Sequence, residues 1–89
     1  MTNRIYKTDE EGNQVIHIIG KLDSTAALGE FLANPQQHFR VIFDLKETEL
    51  ITEQCLELLK DYSEKCTVSF RNFSLYVELL LSENGFLNQ

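Results

Sequence analysis

Residues 14–20 read QVIHIIG, and this run limits the fold more than any other segment. In an extended chain successive side chains point to opposite faces, so Val15, His17 and Ile19 lie on one side and Ile16 and Ile18 on the other. Both sides are largely apolar, which is the pattern of a central strand rather than of an edge. A chain with such a strand has to build a sheet around it.

The flanking sequence supplies the pieces. RIYKT precedes the run across an acidic, Gly-containing DEEGN, which predicts an antiparallel hairpin. DSTAALGEFLANP offers Asp23 or Ser24 as a cap, apolar Leu28, Phe31 and Leu32, and a stop at Asn34-Pro35, a short helix of about two to three turns. FRVIFDL alternates Phe39, Val41, Phe43 and Leu45 against Arg40, Ile42 and Asp44, a period of two that predicts a strand. Along EQCLELLKDYSEKC, the residues Cys55, Leu56, Leu59, Tyr62 and Cys66 form one helical stripe, with Glu57, Lys60, Asp61 and Glu64 outside it. TVSFR predicts a short strand placing Val68 and Phe70 together. SLYVELLLSENG predicts a third helix, capped by Ser74 and followed by Gly85.

The resulting order is ββαβαβα. Strands separated by helices pair in parallel through right-handed crossovers, so the expected fold is α/β. Its four-stranded mixed sheet has an N-terminal antiparallel hairpin, then parallel strands, with the first strand at an edge and helices as cover. The 89 residues, 43% of them apolar, suffice for one domain with one core.

Charge narrows the partners. The formal net charge is −6, and the basic residues Arg4, Lys7, Lys21, Arg40, Lys46, Lys60, Lys65 and Arg71 are scattered singly. Nothing concentrates positive potential, which argues against nucleic acid and anionic membrane as partners. The opening MTNRIYKTDEEGNQ has no apolar core of signal-peptide type, and no apolar run approaches the roughly 20 residues that span a bilayer. The expectation is a cytoplasmic protein without direct membrane insertion.

Chemistry-bearing patterns are sparse. Cys55 and Cys66 stand 11 positions apart, and on one helix that is roughly 16 Å, too far for a disulfide. With His17 and His38 they make no metal-ligand spacing, so no metal is expected. His17 reads as a core or edge-of-core histidine, and both cysteines as small core residues. Glu53 and Glu57 lie one helical turn apart, but no nucleophile with an adjacent base and no Gly-rich phosphate loop accompanies them. A solvated acidic face, no catalytic residue, no cofactor and no enzymatic activity are the expectation.

The third helix carries Leu75, Tyr76, Val77, Leu79, Leu80 and Leu81, more apolar surface than one core-facing stripe can bury. Either the tail GFLNQ folds back and Phe86 and Leu87 cover the excess, or an exposed patch remains that binds a partner or forms a homodimer through this helix.

Three segments resemble one known family. VIHIIGKLDSTAA is similar to the strand-Gly-x-Leu-Asp-loop signature of STAS domains, the bacterial anti-sigma factor antagonists and their relatives. VIFDLKETELITEQCLELL resembles that family's strand and loop leading to a phosphorylatable helix start, and NFSLYVELLLSENGF its third helix. The resemblance runs from about Arg4 to Phe86 and implies a non-catalytic module that docks onto another protein. Two departures stand out. Where the family has Asp-Ser-Ser-Gly-Leu or a close variant, this chain has Thr52, Glu53, Gln54, Cys55 and Leu56, so Glu53 occupies the phosphoserine position. Relatives also add a strand and a last helix that the single 1–89 domain is expected to lack.

A carboxylate cannot accept phosphate from a serine kinase. Glu53 then reads in one of two ways: as a first-turn acid at the positive end of a helix capped by Thr52, or as a fixed charge of about −1 where relatives carry about −1.5 to −2. Thr52 and Ser24 keep hydroxyls that leave phosphorylation open. The resemblance implies a binding face of Asp23, Ser24, Leu50, Thr52, Glu53, Gln54 and Glu57, with Leu50 or Ile51 as its apolar centre. Its expected partner is an anti-sigma factor of serine-kinase type in a partner-switching pathway. The alternative is an accessory STAS subunit held against the ATPase of a lipid-transport ABC complex.

Overall fold

The computed structural model describes residues 4–32 and 40–86. The predicted stop at Asn34-Pro35 lies outside them, as do His38, Phe39 and Leu87. In chain order the elements are β1 (Arg4–Glu10), β2 (Asn13–Leu22), α1 (Thr25–Leu32), β3 (Val41–Asp44), β4 (Thr48–Ile51), α2 (Glu53–Ser63), β5 (Val68–Arg71) and α3 (Leu75–Glu83).

The hairpin forms as its sequence directs. Glu11 and Gly12 have φ of 53° and 88°, and Glu10 pairs with Asn13. Positive φ at both central residues marks a type I′ turn, whose twist matches that of the strands it joins. From there β1 runs antiparallel to β2 until Arg4 faces Ile19.

β2 is the long central strand, and it supports two short strands end to end along its other edge. Gln14 to His17 pair in parallel with Val41 to Asp44, and Gly20 to Leu22 with Thr48 to Ile51, the register shifting between Gly20 and Lys21. A tight turn makes the step, with Thr48 N–H donating to the Leu45 carbonyl at 3.1 Å. The sheet therefore has five strands, ordered β1-β2-β3-β5 with β4 beside β2, and not the four expected. Thr48 to Ile51 is too short to display a period and runs without punctuation into a helix cap. It is a strand because the far end of β2 offers it an edge.

Parallel steps from β2 to β3 to β5 all move the same way across the sheet, so right-handed crossovers set α1 and α2 on one face. The core is there. Ile16, Ile18, Val41 and Phe43 of the sheet pack against Leu28 and Leu32 of α1, Cys55, Leu56 and Leu59 of α2, and Val77 and Leu81 of α3. The predicted stripe of α2 stops at Tyr62, because the helix ends at Ser63. Cys66 lies beyond it, half-buried, its thiol directed at the Tyr62 carbonyl at 3.8 Å.

α3 ends as its sequence predicts. Gly85 takes φ of 84°, Phe86 N–H donates to the Leu81 carbonyl at 2.9 Å, and Gly85 N–H to that of Ser82 at 3.2 Å. That pair of bonds is a Schellman motif. It turns Phe86 back onto the sheet, where its ring meets Phe70 edge-on at 5.2 Å. Phe86 nevertheless leaves the outer side of α3 bare: Leu75 is 81% exposed, Leu79 61% and Tyr76 51%.

Candidate functional site

Both halves of the expected binding face sit at the ends of paired strands. Leu22 closes β2 and Ile51 closes β4, and the two are register partners. One step on, Thr52 N–H donates to the Leu22 carbonyl at 3.1 Å. This bond sets Asp23 and Ser24, which follow Leu22, beside Thr52, Glu53 and Gln54, which open α2. The carboxyl ends of parallel strands are where open α/β sheets place their sites, because chain reversals there are free of the core.

Each loop ends in a cap. Ser24 Oγ accepts from Ala27 N–H at 3.1 Å, so Ser24 rather than Asp23 caps α1. Thr52, extended at φ −75° and ψ 163°, accepts from Cys55 N–H at 3.4 Å and caps α2. Its hydroxyl thereby satisfies a backbone donor that the helix leaves unpaired. Glu53, Gln54 and Glu57 are exposed, and Asp23 is exposed beside them. Glu53 lies in the first turn, where the helix dipole favours an anion. Leu50 is half-buried and pairs with exposed Lys21, whereas Ile51 is buried in the core and pairs with Leu22.

A second polar assembly, absent from the expected site, occupies the sheet face opposite the core. Tyr6, His17, Asp44 and Arg71 are register partners across four strands. Tyr6 and His17 stack at 4.5 Å, and His17 Nε2 lies 2.9 Å from Thr8 Oγ1. Arg71 donates to Asp44 at 3.1 Å and, through two bonds of 3.0 and 2.8 Å, to Glu10. The register places Val15 between these groups, and it is fully buried.

Burial tends to raise the Asp44 carboxyl, but hydrogen bonds from Lys46 N–H, Arg71 and Asn72 outweigh it and hold it below the ordinary range. Glu10 is lowered by its hydrogen bonds to Arg71. A shallow cavity of about 300 Å³ opens beside Tyr6, His17, Asp44 and Lys46. The signal in the sequence was faint: an acid and an arginine on the polar phase of two strands whose pairing only the fold reveals.

Among the described residues, no His, Cys, Asp and Glu side chains converge as a metal site, and no helix is long and apolar enough to cross a membrane.

No family model matches this chain, nor does any curated protein. Solved structures do. An anti-sigma factor antagonist from Mycobacterium paratuberculosis superposes with a TM-score of 0.72 at 18% identity, over 92% of this chain and 79% of that one. An antisigma-factor antagonist STAS domain from Rhodobacter sphaeroides gives 0.57 at 14% identity, over 79% and 86%. The fold of this chain is that of a STAS domain.

Proposed function

We propose that this STAS-fold chain is a non-catalytic docking module, a regulator of anti-sigma factor antagonist type in a bacterial partner-switching pathway, that works without a phosphoserine switch. The observation that carries the reading is the Thr52-to-Leu22 backbone bond, which brings two loops 30 positions apart into one exposed surface at the start of α2. Glu53, Gln54 and Glu57 present acid and amide groups there, and Asp23 and Ser24 form the adjoining rim. Glu53 holds a permanent single charge at the position where relatives are phosphorylated, so the partner reads a constant state.

Both solved neighbours are named as anti-sigma factor antagonists, which favours a regulator over an accessory subunit of a transporter. The experiment is capture from the native cell with wild-type protein and with Glu53→Lys. Reversing one exposed first-turn charge costs about 0.3–1 kcal/mol, too little to unfold the domain, and Glu53→Gln provides a milder control. Recovery of a kinase-type anti-sigma factor, lost with Glu53→Lys, is the expected result; recovery of an ABC ATPase would overturn it. Incubated with that kinase and ATP, the wild type should stay unlabelled and Glu53→Ser should gain label. Label at Ser24, Thr25 or Thr52 would show that the switch persists.

A further inference from the structure

We infer that β1 is an interaction surface of its own, and that its occupant is the β1 strand of a second copy of this chain, added antiparallel so that one sheet runs through both copies. The inference is independent of the docking role proposed above. β1 stands at one edge of the sheet, and its seven residues pair with β2 without a register shift or a proline. Asp9 is the register partner of Gln14, yet Gln14 N–H donates to the other side of β2, to the Arg40 carbonyl at 3.2 Å. Asp9 and Gln14 are therefore a non-hydrogen-bonded pair, and by the alternation of antiparallel ladders Ile5, Lys7 and Asp9 all direct their N–H and C=O groups outward. Such a row is a template for another strand. Lys7, Thr8, Asp9 and Glu10 are exposed, so the row is open. The opposite edge is shorter: β5 has four residues and is followed by Asn72 at φ 61°, which bends the chain away from an extended course.

Charge selects the occupant and its register. Along β1 and its turn the basic Arg4 and Lys7 come first and the acidic Asp9, Glu10 and Glu11 last, so a reversed copy is complementary and a copy in the same direction is not. With the two-fold axis at Thr8, Lys7 of each copy faces Asp9 of the other as a hydrogen-bonded pair. An axis at Lys7 sets lysine against lysine, an axis at Asp9 sets acid against acid, and an axis at Tyr6 places Lys7 opposite Ile5. The Thr8 register also leaves Glu10 with Arg71 of its own chain. β3 and β4, which precede α2, lie on the other side of β2, so the start of α2 stays open in both copies. One strand edge supplies less than the about 800 Å² per partner of a standard interface, and each copy carries a net charge of −6. A weak, concentration-dependent dimer follows.

The test is sedimentation equilibrium of the full chain over a range of concentrations, with a charge exchange at the two facing positions. The wild type should pass from monomer to dimer as concentration rises. Lys7→Asp and Asp9→Lys, each folded by circular dichroism, should weaken self-association about tenfold or more. An equimolar mixture of the two variants should associate as tightly as the wild type, because each copy then meets the opposite charge at both positions. In a Cys66→Ser background, Thr8→Cys should form a disulfide-linked dimer on mild oxidation and Lys7→Cys should not, since directly opposed non-hydrogen-bonded residues have Cα atoms about 4.5 Å apart. Monomer at every concentration up to about 1 mM, a dimer indifferent to both charge changes, or a mixture no tighter than the single variants would overturn the inference. So would a dimer that Leu79→Ser abolishes, which would put the contact on α3.

Discussion

Arg71 donates to both carboxylate oxygens of Glu10, at 3.0 and 2.8 Å, joining the last strand to the first across 61 positions of sequence. The same guanidinium holds Asp44 on the strand between, at 3.1 Å. One side chain thus ties β1, β3 and β5 together over the sheet face that carries none of the helical core.

This tie makes the domain sensitive to acid. Glu10 and Asp44 are both lowered from their ordinary values of 4.5 and 3.8. Carboxylates with depressed folded-state values contribute stability that is complete above about pH 5 and is lost as pH falls through those values. Urea unfolding of the wild type should show a lower midpoint at about pH 3 than at about pH 7. Arg71→Met should lower the midpoint at neutral pH and leave a smaller further loss on acidification.

Thr48 anchors the strand that leads to the start of α2. Its buried hydroxyl donates to the Ile18 carbonyl at 2.7 Å, across 30 positions. Thr48→Val keeps the shape and deletes the donor, so it should destabilise by about 1–3 kcal/mol in chemical denaturation. Thr48→Ser should recover most of that.

Gly85 allows a separation of backbone strain from packing. A side chain added there would meet open space, but φ is 84°. Gly85→Ala should therefore cost about 1–2 kcal/mol from the left-handed backbone alone, and Gly85→Asn less, as measured by thermal unfolding.

The two sides of α3 should respond differently to truncation. Leu81 is fully buried and Leu79 is 61% exposed. Leu81→Ala should cost about 2–5 kcal/mol, whereas Leu79→Ala should change stability by less than about 1 kcal/mol. Equal losses would mean that the outer side of α3 is covered in the folded chain.

Local order was legible in the residues themselves. The alternation around His17 marked β2 as central, the apolar spacing from Cys55 to Tyr62 fixed the buried side of α2, and Thr52, Ser74 and Gly85 marked helix ends, because periodicity and capping depend on near neighbours. Strand β4 was not legible, since four residues carry no period and their pairing partner lies some 28 positions back. Nor was the fate of Asp44, whose place on the polar phase of β3 predicts exposure, yet which is buried under a cation 27 positions away. The proposed docking face belongs to both levels: Asp23, Glu53 and Glu57 were readable as polar residues at helix starts. Their common surface, and the bare leucines of α3, were decided by tertiary structure, because only the pairing of β4 with β2 brings the two loops together.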